Sequence, residues 1–193
     1  MGELYLVKVK KSRGKIRHWV IIITFWTFLL AIILSFISET LLIKANIAVA
    51  LVILVIIISI GVLFDIIGVA ITACSEVPMN SMAANKIKGA REAVDLLKNA
   101  DKVSNFCNDV IGDICGIISG AIGAAIVFRI LIANPGLEKA LLSAVIAGFI
   151  SSVTVGGKAI GKNIAIKKSK SIVLKTGYVV YLFNFVFRRK RLK

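Results

Sequence analysis

Histidine, paired cysteines and acidic residues are all scarce in this sequence. Its 193 residues include one histidine, three cysteines and ten Asp or Glu residues. Zinc sites are built mainly from histidine and cysteine, yet His18 is the only imidazole and no two cysteines have C-x-x-C spacing. The sequence therefore offers no basis for a zinc-type site or for a disulfide framework.

Long polar stretches are also missing. Hydrophobic residues make up 58% of the chain and the mean hydropathy is +0.91, whereas ordinary soluble domains are roughly 45 to 50% apolar. So little polar sequence remains that a sizeable soluble domain has no room. We conclude that the chain is an integral membrane protein with short basic ends.

Positive charge is abundant, and its distribution predicts how the chain crosses the membrane. Against a net charge of +15, six Lys or Arg precede the first apolar run, five lie between residues 75 and 105, and eleven follow Gly157. Only Lys44 and Lys139 lie in the two remaining connections. This asymmetry predicts a multi-pass protein of the inner or plasma membrane with both termini cytoplasmic. No basic groove interleaved with aromatic residues is present, so nucleic acid is not an expected partner.

The apolar runs predict an all-α protein with four transmembrane helices. Each run is long enough to cross a hydrocarbon core of about 30 Å, and the expected spans are 19–38, 47–74, 106–133 and 140–161. Residues 75–104 are polar and helix-forming, with Pro78 suited to a first helical turn and Gly89 to a break. We expect a cytosolic helical hairpin there.

The C-terminal segment combines apolar residues with basic ones. Residues 172–187 are short for a span, so we expect an interfacial helix held to anionic lipid by Arg188-Arg-Lys-Arg191. The alternative is a fifth span. The predicted organisation is a basic N-terminus with an additional span (1–46), a membrane core (47–161) and a basic juxtamembrane segment (162–193).

Acidic and amide side chains gather where the third predicted span begins. With 3.6 residues per turn, Asn105, Asp109 and Asp113 share one row of the helix and Asn108 occupies the adjoining row. Asp65 is expected at a similar depth on the second span. Ionisable groups inside apolar spans usually face a bundle interior, a cavity or a bound ion. Because carboxylate and amide oxygens suit hard cations, we predict a site for Mg²⁺ or another hard divalent cation. Its predicted ligands are Asp65, Asn105, Asn108, Asp109 and Asp113.

Three glycines continue the same helix at intervals of four residues. Gly112, Gly116 and Gly120 form a small-xxx-small pattern, which lets another helix approach closely in lipid. We predict helix packing at these glycines, including a homodimer.

Four stretches of the sequence resemble the membrane domain of the CNNM/CorC magnesium transport proteins, especially the short CorB-like sequences. The resemblance covers roughly residues 60 to 161 and is carried by Phe64-Asp-Ile-Ile-Gly-Val-Ala70, Lys88-Gly-Ala-Arg-Glu-Ala93, Asn99-Ala-Asp101 and Asn105 to Gly120. It implies a three-span core that dimerises and holds a largely dehydrated magnesium ion. Asp65 stands where the family usually has a motif serine, and Gly68 where it often has glutamate. Asn105 and Asp109 correspond approximately to the Ser and Asn that open the next span.

The resemblance implies transport of Mg²⁺, or of Co²⁺, and no enzyme activity. We expect a short form without the CBS domains common in the family, and therefore no nucleotide sensing. A non-transporting accessory or immunity-type membrane protein is the alternative that the basic ends alone would explain. A metal-dependent membrane phosphotransferase is a further alternative. The D-G-x-x-A-R signature of that class is missing, although Asp109 and Asp113 have the spacing of its carboxylate pair.

Overall fold

The computed structural model describes residues 21–37, 40 and 46–190, with side chains up to residue 186. The predicted basic N-terminus, His18, Lys44 and the Arg188–Arg191 cluster therefore lie outside the described side chains. The chain divides into two units, Met1–Lys44 and Ala45–Lys193. In the first unit, helix α1 runs from Ile21 to Ile37 and is apolar throughout most of its length.

Three helices of the second unit are long and apolar enough to cross a membrane. The first is α2, Ile47–Ala73, and the last is α7, Lys139–Lys167. Between them a continuous helix runs from Ala100 to Ala133, and we call it the third helix because it contains the third predicted span. Helix α1, with 17 described residues, is the shorter apolar helix that precedes them. An all-helical membrane fold is thus confirmed in the described part of the chain, with three candidate spans where four spans were predicted.

The starts and ends of these helices follow local sequence signals. Asn46 caps α2 because its side-chain oxygen accepts the Val49 N–H at 2.9 Å. The Asn134-Pro-Gly136 turn separates the third helix from α7. Helix α7 extends six residues beyond the predicted end at Gly161, because Lys162 to Lys167 contain no residue that breaks a helix.

The predicted helical hairpin is present as two short helices. Helix α3 spans Glu76–Ala84 with Pro78 in its first turn, and α4 spans Ala90–Lys98 and packs against it. Gly89 has φ +83°, a left-handed conformation that glycine adopts without steric cost. Helix α8, Ser169–Lys190, then packs on α4 and α2.

A compact apolar cluster holds the hairpin to the ends of the long helices. Its buried members come from α2, α3, α4, α7 and α8 and are Ala70, Ile71, Met79, Ala93, Val94, Leu97, Ala165 and Val173. Ala90, Val94 and Leu97 of α4 are buried at helical spacing, whereas Ile87 in the preceding turn is exposed. Helix α8 is not among the described helices apolar enough to cross a membrane, so the alternative of a fifth span finds no support.

Candidate cation site

The third helix changes its winding where the polar residues occur. It consists of α5 (Ala100–Asn105), a π-helical segment (Phe106–Ile111) and α6 (Gly112–Ala133). A π segment inserts extra backbone into a turn and is frequent at functional sites. Here it contains Asn108 and Asp109, two of the predicted ligands.

The polar residues of this helix divide into two rows. We call Ser104, Asn108 and Gly112 the inward row, since Ser104 and Gly112 are buried and Asn108 is half-buried. We call Asn105, Asp109, Asp113, Gly116 and Gly120 the outward row, since all five are exposed in the single chain. The single broad face expected for these residues is therefore not what the structure shows. Neighbouring positions differ by about 100° around a helix, so a polar cluster readily splits this way.

Asn108 packs directly against helix α2. A Cβ atom added to Gly68 would overlap the Asn108 side-chain oxygen Oδ1, so only a glycine at position 68 leaves room for this amide. The Asn108 Nδ2 donates a hydrogen bond to Ser104 Oγ at 3.2 Å. Asn108 Oδ1 is buried and has no hydrogen-bond partner in the part of the chain that the structure describes.

Asp65 lies one turn before Gly68 on the same helix. Only 5% of Asp65 is exposed, and its Oδ2 atom is buried without a hydrogen-bond partner among the described residues. Buried polar atoms are nearly always paired, because leaving one unpaired costs about 1–3 kcal/mol. Asp65 Oδ2 and Asn108 Oδ1 are therefore available to a ligand, and the helical segments that carry them pack on each other.

Lys158 of α7 brings a positive charge to the same place. Its Nζ lies 3.9 Å from Asp65 Oδ1, and the two side chains are 28% and 7% exposed. At this distance the attraction is about 4 kcal/mol for an effective dielectric constant of about 20. Desolvation of both charges offsets much of that energy.

Glycines on α7 bring the lysine close to α2. An added Cβ at Gly157 would lie 3.1 Å from Val62 Cγ2, and one at Gly161 would lie 2.7 Å from Ile66 Cγ1. On the side of α6, Lys158 Nζ lies 3.5 Å from the position that a Cβ of Gly112 would take. The ammonium group thus lies in a space bounded by α2, α6 and α7.

The structure does not bring the three predicted carboxylates together. Asp65 is buried between helices, whereas Asp109 and Asp113 belong to the outward row. Within the described part of the chain, no three His, Cys, Asp or Glu side chains lie close enough to hold a metal ion. A cation here would instead meet one carboxylate together with neutral amide and hydroxyl oxygens.

The predicted helix-packing glycines also divide. Gly112 is buried beside Lys158, but added Cβ atoms at Gly116 and Gly120 would meet nothing within 4 Å. Gly116 and Gly120 instead line an apolar groove of about 740 Å³ between α6 and α7. Tight helix contacts among the described residues are made by other glycines: Gly61, Gly68, Gly123, Gly157, Gly161 and, between α8 and α4, Gly177.

Two residues that lie beside Asp65 and Asn108, namely Lys158 and Ser104, were not predicted as part of the site from the sequence. Lys158 counted only as one of the inner positive charges, although its position in Gly157-Lys-Ala-Ile-Gly161 places it within a small-xxx-small helix contact. Ser104 was assigned only to the end of the hairpin. Its position four residues before Asn108 is the signal that would have paired these two side chains.

These features define an integral membrane protein whose central helices enclose a small polar site, an architecture typical of transport proteins. The family model of the cyclin M transmembrane N-terminal domain matches residues 52–189. The chain belongs to this family, CNNM, as the resemblance predicted, and the match continues through α8. No curated protein and no solved structure shows a significant match.

Proposed function

We propose that this protein transports a divalent cation, most simply Mg²⁺ or Co²⁺, through a site between α2 and the third helix. CNNM membrane domains are associated with divalent-cation transport, and the family is of the transporter type rather than an enzyme family. The observation that carries the proposal is the pair of buried, unpartnered oxygens on Asp65 and Asn108.

The donor set suits a hard cation. Asp65 would supply a carboxylate oxygen, Asn108 an amide oxygen and Ser104 a hydroxyl oxygen, and these are ligand types that Mg²⁺ accepts. Since Mg²⁺ usually keeps several water molecules, three protein oxygens are sufficient to hold it. The hydrogen bond from Asn108 Nδ2 to Ser104 Oγ fixes the orientation of the amide and leaves its oxygen, Oδ1, available to the ion.

The other predicted ligands would act at longer range. Asn105, Asp109 and Asp113 lie on the outward row, within three turns of Asn108. Two carboxylates at the beginning of a span raise the local concentration of cations through their electric field. We propose that they attract the ion toward the site and that Asp65 binds it.

The proposed orientation places both termini in the cytoplasm, with the basic C-terminal segment against anionic lipid. The asymmetry of Lys and Arg supports it. A single cysteine introduced at Lys139, in a background where the three native cysteines are replaced, should react with a membrane-impermeant maleimide from outside. Labelling from the cytoplasmic side alone would reverse this topology.

The decisive experiment combines binding with flux. The full-length protein should show a higher melting temperature in detergent as Mg²⁺ is added, because ligand that binds only the folded state stabilises it. In liposomes it should admit Mg²⁺ to an entrapped fluorescent indicator. Asp65→Asn should abolish both responses, whereas Asp113→Asn should reduce flux and leave most of the stabilisation.

Two results with these substitutions would contradict the proposal. An Asp65→Asn protein with the Mg²⁺ response of the wild type would exclude the buried site. A larger loss of stabilisation in Asp113→Asn than in Asp65→Asn would move the site to the outward row.

A second candidate function has one specific observation in its favour. The Lys158 ammonium already compensates the charge of Asp65, as a bound ion would. A non-transporting accessory protein of the same fold would use this ion pair for structure alone. Stabilisation by Mg²⁺ without flux, or the absence of both, would favour this function.

A further inference from the structure

We infer that Lys158 is a tethered cation that competes with the divalent ion for Asp65. This inference rests on the proposed function and adds to it a residue that regulates occupancy of the site. The divalent ion would bind only when the ammonium group moves away from the carboxylate.

The contact between Lys158 and Asp65 is close but incomplete. The 3.9 Å between Nζ and Asp65 Oδ1 exceeds hydrogen-bond distance, and the second carboxylate oxygen, Oδ2, has no hydrogen-bond partner within the described residues. An ammonium group has three donors and is a compact charge on a flexible stem. The ammonium group therefore compensates the charge of Asp65 and leaves the carboxylate oxygen Oδ2 available to a cation that binds more strongly.

The surroundings show how the lysine is held. Gly157 and Gly161 set the backbone of α7 against Val62 and Ile66 of α2, so the base of the lysine side chain is fixed. At its other end, the ammonium lies beside Gly112, and a Cβ added there would be in van der Waals contact with Nζ at 3.5 Å. Only the intervening methylene groups allow the charge to move. The Lys158 side chain is 28% exposed, so its ammonium group has open space into which it can move away from Asp65.

Charge balance makes the two cations mutually exclusive. With Asp65 ionised and Lys158 protonated, the pair is neutral. A divalent ion bound beside an unmoved ammonium would leave two excess positive charges where water is scarce, and like charges at this range repel strongly. Displacement of the lysine removes that repulsion. The lysine therefore weakens binding and returns to Asp65 when the ion leaves.

The test is a Mg²⁺ titration of the melting temperature of the full-length protein in detergent. Lys158→Met keeps the length of the side chain and removes its charge. It should lower the Mg²⁺ concentration for half-maximal stabilisation by about tenfold or more, since one repulsive charge is gone. Lys162→Met is the matched control, because Lys162 lies one turn further on α7 and is exposed. It should keep the wild-type midpoint.

A second substitution protects the test against a variant that folds poorly. Lys158→Arg keeps the positive charge and should stay within about threefold of the wild-type midpoint. The double variant Asp65→Asn/Lys158→Met lacks both charges, so it should melt at a higher temperature than Lys158→Met without Mg²⁺ and show no response to the ion. A midpoint for Lys158→Arg shifted downward by tenfold would overturn the inference.

The outcomes separate this inference from the proposed function. Equal midpoints for wild type and Lys158→Met, with the response lost in Asp65→Asn, would overturn competition by the lysine and leave the cation site intact. No response in any variant, including Lys158→Met, would reject both. A response that appears only in Lys158→Met would support the inference and show that the wild-type lysine keeps the site closed to Mg²⁺.

Discussion

The inward and outward rows of the third helix have similar chemistry and opposite surroundings. Each contains an amide side chain and at least one glycine. The inward row contacts α2 and lies beside Lys158, with a buried oxygen left unpaired on Asn108. In the outward row, Asp109 and Asp113 are exposed, and added Cβ atoms at Gly116 and Gly120 would meet nothing within 4 Å among the described residues.

The difference shows that a polar residue in a membrane helix gains its role from the helix opposite. Gly68 admits Asn108, and Gly161 admits α7 close enough for Lys158 to reach Asp65. Without these glycines the inward row would be as uncovered as the outward row. Substitutions on the two sides should therefore have unequal effects.

The largest effect is expected where α7 approaches α2. Gly161→Leu would force its side chain against Ile66 and push the helices apart. Overpacking of this kind costs about 1–3 kcal/mol, which corresponds to a melting temperature lowered by roughly 3–10 °C. Gly156→Leu is the control, because a Cβ there meets nothing within 4 Å. Equal melting temperatures for the two variants in detergent would contradict the close contact between α7 and α2.

A smaller effect is expected at the contact between Gly68 and Asn108. Gly68→Ala would displace the Asn108 amide and break its hydrogen bond to Ser104, at a cost of about 1 kcal/mol. Gly116→Ala on the outward row should be neutral or stabilising by up to about 1 kcal/mol, since alanine favours helix more than glycine. Melting temperatures measured in the same detergent compare the two directly. A stabilising Gly68→Ala would show that Asn108 does not depend on this contact.

The smallest effect on the fold of one chain is expected at the outward glycines. Gly116→Leu should leave the free energy of unfolding of the monomer within about 0.5 kcal/mol of the wild type, because a Cβ at this position meets nothing within 4 Å among the described residues. If a second copy packs on this row, the substitution should shift the protein from dimer to monomer. Cross-linking in membranes and light scattering in detergent measure the oligomeric state. A dimer that persists unchanged would place the predicted homodimer contact elsewhere.

Much of the fold follows from local sequence. The apolar runs placed α2, α7 and most of the third helix, and Pro78, Gly89 and Asn134-Pro-Gly136 marked the turns that the structure contains. The hairpin stripe at Ala90, Val94 and Leu97 follows from helical periodicity. These features depend on interactions within a few residues, so the sequence alone specifies them.

The candidate site was predicted less completely. Asp65 and Asn108 were identified because carboxylates and amides are rare in apolar spans. Lys158 was missed because its partner is 93 residues away in the sequence. The grouping of Asp109 and Asp113 with Asp65 assumed one broad helix face, whereas burial divides the two rows.

The sequence by itself determined that this is a helical membrane protein of a cation-transport family, because hydropathy, charge asymmetry and short motifs are local properties. The tertiary structure decided which side-chain oxygens are buried and that the Lys158 ammonium group lies beside Asp65. That choice depends on how closely three helices approach, and the approach is set by glycines that contact side chains on other helices. Lys158 faces Asp65 for this reason, and no local pattern in the sequence specifies that contact.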